Sequence, residues 1–338
     1  VVVRSWTTPI VFTVFTVLAL VVFGLNAPDA AATFRVSTEA DAFRIPDLVA
    51  DGAVGGWIVT AILVVLTVLA WMRAARGRAV GAVLGISVAL VFVAGFLIWV
   101  VGSAANTSVF LTGLIAGSFA LAVPLIFGSM AGILSERAGV VNIAIEGQLL
   151  AGAFTAALVG SMTGSPWAGL AAAVVAGVLV SVILAVFSIK YLVNQVIVGV
   201  VLNVLVAGLT GFLFSTFLSS SPSLNQALRL PTLAVPLLSR IPIIGPVLFR
   251  QTILVYLMYA AVAVLSVMLF RSRWGLRLRA CGEHPKAADT VGIRVNPLRF
   301  WNVSLAGAIA GLGGAYFSLV SVAGFNREMT GGAGYIAL

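Results

Sequence analysis

A chain of 338 residues that is 61% hydrophobic and only 9% charged lacks the polar surface a water-soluble domain needs, since such domains carry roughly a quarter charged residues. With a mean hydropathy of +1.17, it reads as an all-α, polytopic transmembrane helix bundle. The net charge of +9 suggests nucleic acid, but the basic residues sit in short segments between apolar stretches. Basic loops beside a bilayer give the same balance, so no nucleic-acid partner is expected.

A hydrocarbon core about 30 Å thick takes roughly 20 apolar residues in a helix. Nine such stretches follow one another at 10–25, 53–72, 79–101, 108–134, 139–160, 168–189, 196–218, 252–270 and 300–320. The first has a competing reading: Arg4, the apolar run and Ala30-Ala31-Ala32 have the order of a secretory signal peptide. A polar loop at 26–52 follows, carrying Asp29, Glu39, Asp41, Asp47 and Asp51. Residues 1–107 form an N-terminal set of helices, and 108–338 form a core.

Glycines four apart recur at Gly77, Gly81 and Gly85, at Gly113 and Gly117, at Gly128 and Gly132, and at Gly307 and Gly311. Such spacing predicts close helix contacts in lipid. Within the fifth stretch, Asn142 and Glu146 are four apart and are expected on one helix face, with Glu146 about two turns into the bilayer. An intramembrane carboxylate faces a cavity or a partner, and no Lys or Arg at that depth offers to pair with it. Glu146 is therefore expected to be protonated or near water. Its functional reading is a wall of a translocation path that meets hydroxyls of a polar solute. Its structural reading is a hydrogen bond to a neighbouring helix or backbone. Asn203 and Asn302 carry the same pair of readings, and Gln148 falls on another face.

Between the seventh and eighth stretches, the loop 219–251 holds Pro222, Pro231, Pro236, Pro242 and Pro246, so no regular helix can run its length. Its Arg229, Arg240 and Arg250 could meet acidic groups on an external partner or could simply be solvated. The loop 271–299 holds seven of the nineteen basic residues. With the N-terminus inside, it is cytoplasmic together with Arg4, Arg73, Arg76, Arg78, Arg137 and Lys190, the side that basic loops prefer. Pro285 can open a short helix through Lys286, Ala287, Ala288 and Asp289, with Gly292 to end it. So short a helix needs a surface to dock on, and the two alanines would leave a smooth patch for another protein's groove. A tenth apolar stretch begins at Tyr335 and would be truncated at Leu338.

Four segments in order then resemble one family. The run Arg279-Ala-Cys-Gly-Glu-His-Pro-Lys-Ala-Ala-Asp-Thr-Val-Gly-Ile293 is similar to the coupling-helix segment of ATP-binding-cassette importer permeases of the branched-chain amino acid, ribose and nucleoside type. Ala280, Gly282, Pro285, Ala287, Ala288, Gly292 and Ile293 match its pattern, while His284 stands where Asn is commoner. The run Leu134-Ser-Glu-Arg-Ala-Gly-Val-Val-Asn-Ile-Ala-Ile-Glu-Gly147 resembles the nucleoside subgroup, and Asn194–Asn203 and Met329–Leu338 complete the set. The resemblance spans about residues 110–338. It implies that Arg279, Gly282, Glu283, His284, Pro285, Ala287, Ala288, Asp289 and Gly292 couple to an ATPase. The implied assembly holds a second, related permease chain, two ATPase subunits and an extracytoplasmic lipoprotein binding protein, in the bacterial cytoplasmic membrane.

No cofactor is expected on this chain, with ATP and Mg on the partner subunits. The only lysines, Lys190 and Lys286, lie outside any phosphate-cradling Gly-rich loop. An ion-coupled secondary transporter using Glu146 is the alternative. A membrane enzyme fits poorly, because the single His284 lies in a loop and no carboxylates cluster. One histidine and one cysteine, Cys281, also argue against a His/Cys metal centre and exclude an internal disulfide.

Overall fold

The computed structural model describes residues 6–38, 41–104 and 108–338, so Arg4 and Glu39 lie outside the described residues. Nine helices among them are long and apolar enough to cross a membrane, one for each expected stretch. The chain divides into two compact units, 1–116 with 236–247, and 117–235 with 248–338.

In the first unit, α1 (Thr7–Ala19) runs on as a wider turn over Leu20–Leu25. Strands β1 (Ala31–Arg35) and β2 (Leu48–Asp51) precede α2 (Gly52–Ala75) and α3 (Ala82–Ser103), and β3 (Ser108–Phe110) closes a small sheet. In that sheet β1 is central, antiparallel to β2 and parallel to β3. Asp51 starts α2 by accepting from the Val54 N–H at 3.0 Å, satisfying one of the four free donors of a helix start. Phe12, Phe23, Val59, Leu63 and Val88 form the core of this unit. The Thr16 and Thr67 hydroxyls, 2.8 Å apart, tie α1 to α2 where lipid offers no other partner. Gly77 has φ +66° and lies in the turn between α2 and α3. A Cβ at Gly81 or Gly85 would meet nothing nearer than 3.8 Å. The spacing 77/81/85 is therefore a turn signal here rather than a packing stripe, correcting the expectation.

The second unit contains most of α4 (Leu111–Arg137), then α5 (Ile145–Thr163), α6 (Pro166–Ala185) and α7 (Gln195–Leu213). The long loop holds β4 (Thr232–Ala234), paired antiparallel with β5 (Arg250–Thr252), and no helix runs its length. Then come α8 (Ile253–Arg271), α9 (Arg273–Glu283), α10 (Pro285–Thr290), α11 (Val295–Tyr316) and the short α12 (Ala333–Ala337).

Small residues bring α5, α6 and α11 into backbone contact. A Cβ on Gly177 would fall 2.1 Å from the Gly307 carbonyl oxygen, and one on Gly311 would fall 2.2 Å from that of Ala173. The spacing at 307/311 is thus a true contact surface. Around it pack Phe127, Leu134, Met258 and Leu319 on one side, and Leu150, Phe154 and Leu184 on the other.

Two expectations are corrected. The fifth spanning helix starts at Ile145 rather than near 139. Gly139 takes φ +78° after α4, and residues 139–144 form a turn. The loop 271–299 is mostly helical, because Ser272 accepts from the Gly275 N–H at 3.0 Å and so caps α9.

Candidate functional site

Two places in the second unit gather the sequence-derived candidates. The first lies at the start of α5. Glu146 stands in its first turn, half-buried, and accepts three hydrogen bonds from the chain just before and within α12. The Thr330 hydroxyl donates to Oε1 at 2.6 Å and the Gly332 N–H to the same oxygen at 3.0 Å. The Gly334 N–H donates to Oε2 at 2.6 Å. Only glycine fits at 334, since a Cβ there would lie 2.4 Å from the Glu146 nitrogen. A carboxylate so held is stabilised by charge-assisted bonds, and it fixes the 330–334 turn against α5.

Asn203 of α7 works from the other side. Its Oδ1 accepts from the Gly147 N–H at 2.8 Å, and its Nδ2 donates to the Ile143 carbonyl at 2.8 Å and to the Tyr335 hydroxyl at 3.2 Å. Glu146, Asn203, Glu328, Thr330 and Tyr335 all line one cavity of about 280 Å³. Sequence reasoning missed Glu328, Thr330 and Tyr335 as its wall. Thr330 and Tyr335 were signalled only by the Met329–Leu338 run, which carried the family resemblance but named no partner, and Glu328 lies just before it.

Asn142 does not share a helix face with Glu146, because it stands in the turn before α5. Buried there, it exchanges two amide bonds with Gln148, at 3.2 and 3.3 Å, and donates to Ser135. Asn302 is also elsewhere: its Nδ2 donates to the Leu298 carbonyl at 2.6 Å within α11, and its Oδ1 is buried without a partner.

The second place is the basic segment. α9 buries Gly275, Leu278 and Cys281. α10 follows after His284 and ends in a turn with Gly292 at φ +84°. Ala288 is buried against Cys281 and Val295, whereas Lys286, Ala287, Asp289 and Thr290 face outward. The expected two-alanine patch is therefore a single outward alanine, because Ala288 seats α10 on its own chain.

Arg299, which sequence reasoning counted only as one more basic residue, holds this segment in place. Its Nε donates to the Ala138 carbonyl at 2.9 Å and its Nη2 to the Cys281 carbonyl at 3.2 Å, joining the end of α4, α9 and α11. Gly282 lies flat against the end of α4, where a Cβ would meet the Arg137 carbonyl at 2.5 Å. Arg279 stacks over Phe270 at 5.6 Å and, with Glu136, Arg137, Gly282 and Glu283, lines a cleft of about 200 Å³. Burial pushes the Cys281 thiol above its usual range, with the nearby Arg299 charge pulling partly the other way.

Of the loop arginines, Arg229 is exposed and donates to the Ser321 carbonyl at 3.4 Å, and Arg250 is exposed on β5. Exposed Arg240 belongs to the first unit, where its carbonyl accepts from the Ala42 N–H. Among the described residues no three His, Cys, Asp or Glu side chains group as metal ligands.

Residues 114–338 match the family described as branched-chain amino acid transport system, permease component. The chain belongs to that family. The permease is 37% identical over 234 residues to the nucleoside ABC transporter permease protein NupC of Lactococcus lactis, covering 67% of this chain and 73% of that one. It is 34% identical over 232 residues to the guanosine ABC transporter permease protein NupQ of Bacillus subtilis, with the same coverage. It is 35% identical over 233 residues to the putative glucose ABC transporter permease protein TsgC13 of Haloferax volcanii, covering 68% and 69%. No solved structure matches the chain significantly. Family and apolar helices together make the permease a multi-pass integral protein of the cytoplasmic membrane.

Proposed function

We propose that this permease component carries nucleosides inward as a membrane subunit of an ATP-binding-cassette importer, taking its drive from separate ATPase subunits through α10. The observation that carries the drive is the placement of α10. It is too short to stand alone, yet Ala288 seats it against Cys281 of α9 and Val295 of α11, Arg299 ties α9 to the end of α4, and its Ala287 face stays open. A push on that face reaches α4 and α11 through rigid contacts. His284, Pro285, Asp289 and Gly292 shape the handle, and Arg279, Gly282 and Glu283 form its seat on the end of α4.

The cargo rests on the two relatives named for nucleoside and guanosine transport. The cavity lined by Glu146, Asn203, Glu328 and Tyr335 suits such a solute. The exposed Glu328 carboxylate offers acceptors to ribose hydroxyls, while Glu146 shapes the wall through the turn it holds, and the exposed Tyr335 ring offers a face to a base. Asn142 and Asn302 take structural roles in this reading. ATP and Mg sit on the ATPase subunits, a second permease chain completes the path, and a lipoprotein delivers the solute, with Arg229, Arg240 and Arg250 as docking charges. The ion-coupled alternative is weaker, because both oxygens of Glu146 already hold the chain's own donors.

Ala287→Arg tests the drive. Labelled uridine uptake is expected to fall at least about tenfold, on the scale of a lost anchor in an interface, while the ATPase subunits still hydrolyse ATP. Unchanged uptake overturns the proposal for α10. Uptake of glucose but not uridine by the intact importer overturns the cargo alone.

A further inference from the structure

We propose that the groove between α9 and the first three turns of α11 binds an anionic phospholipid, phosphate outermost and acyl chains along α11. The groove has a volume of about 720 Å³. Arg277 of α9 and Arg294, just before α11, stand at its outer end, both exposed. Among the described residues neither guanidinium has an ion-pair or hydrogen-bond partner, and no carboxylate lines the groove. Two unspent positive charges facing one opening call for a negative group, and guanidinium forks match a phosphate.

The rest of the groove excludes a merely soluble anion. Trp274 and Trp301 flank it, Trp301 being 70% exposed, and below them lie Leu305 of α11 and Met268 of α8. At 1.5 Å per residue, Leu305 is about 16 Å along the helix from Arg294. The cleft thus passes from cation through indole to aliphatic, the order of a headgroup, an interface and acyl chains. α8 ends at Arg271 and α11 starts at Val295, so the groove opens where two spanning helices leave the apolar layer. A soluble subunit meeting α10 could cover the arginines, but could not reach Trp301 and Leu305 on a spanning helix. A bilayer lipid reaches both.

The proposal does not rest on the cargo or on the ATPase, so its failure leaves that reading standing. Its test uses the full-length chain in detergent and native mass spectrometry of retained lipid. Phosphatidylglycerol should be held over phosphatidylcholine by roughly thirtyfold, the equivalent of about 1 kcal/mol per arginine. Millimolar inorganic phosphate should not displace it. Arg277→Gln with Arg294→Gln should abolish the preference, while Arg273→Gln, outside the groove, should keep it. Independently of any variant, a photoreactive phosphatidylglycerol should label residues 268–305 of the unmodified chain. Equal retention of the two lipids, displacement by phosphate, labelling elsewhere, or a preference that survives the double substitution overturns the proposal. So does cross-linking of Trp301→Cys to a second copy, which would make the groove a protein interface.

Discussion

Helices α3 and α11 are both 22 residues long, yet they sit at opposite ends of the burial scale. The most apolar window of α3 has a mean hydropathy of 2.7 and only 11% of it is buried, while that of α11 has 1.7 and is 72% buried. α5 repeats the pattern with 1.2 and 67%. In water a segment as apolar as α3 goes inside; here it can face outward, because lipid tails are as apolar as leucine and provide no reason to bury it. What marks the interior is smallness and polarity. Glycines at 177, 307 and 311 let backbones touch, and Glu146, Asn203 and Asn142 find partners within the protein.

The contrast can be broken most forcefully with one residue type placed twice. Gly311→Leu should destabilise the second unit by on the order of 3 kcal/mol or more, since a side chain there must displace the backbone of α6. Gly85→Leu in α3, where the nearest atom to a Cβ is 4.0 Å away, should change little. Thermal unfolding in detergent reads both, and equal shifts would dissolve the distinction. Next, Glu146→Ala removes the acceptor of three donors and should reduce stability by about 2–4 kcal/mol. Glu146→Gln, which keeps one acceptor oxygen, should lose less; a larger loss for Gln than for Ala would refute the bracket.

A smaller effect is expected at Arg299. Arg299→Met should cost about 2 kcal/mol through its two backbone bonds, and should appear first as faster proteolysis within 283–292. Unaltered cleavage there would show that Ala288 alone anchors α10. The mildest prediction concerns Cys281. Buried and with its thiol pushed up, it should react slowly with maleimide near neutral pH and faster only as pH rises through or above the usual thiol range. The folded state disfavours the thiolate, so stability from this group is full at lower pH and is lost in that alkaline window. Fast neutral labelling of the folded chain would contradict it.

The number and order of spanning helices were legible in the sequence because the bilayer imposes a length and a hydropathy on each. The outline of α10 was legible too, from Pro285 at its start and Gly292 past its end. What could not be read was which polar groups pair. Asn142 and Glu146 suggested one face by spacing, but a left-handed Gly139 delays the helix, and Asn142 pairs with Gln148 instead. Arg299 looked like its basic neighbours, since only the folded chain brings the Ala138 and Cys281 carbonyls to it. α9 left a signal that the positive charge obscured: Ser272 as cap, and Gly275, Leu278 and Cys281 spaced three apart on its buried side.

The bracket at Glu146 also has a temporal meaning. Its donors come 184 to 188 residues later in the chain, so a nascent polypeptide emerging from the ribosome carries the acid long before the groups that bond it exist. Until Thr330 and the glycines after it are made, the Glu146 side chain at the start of α5 lacks its hydrogen-bond donors. Docking of this turn is thereby a late event in the making of the chain, open only once residues 330–334 exist.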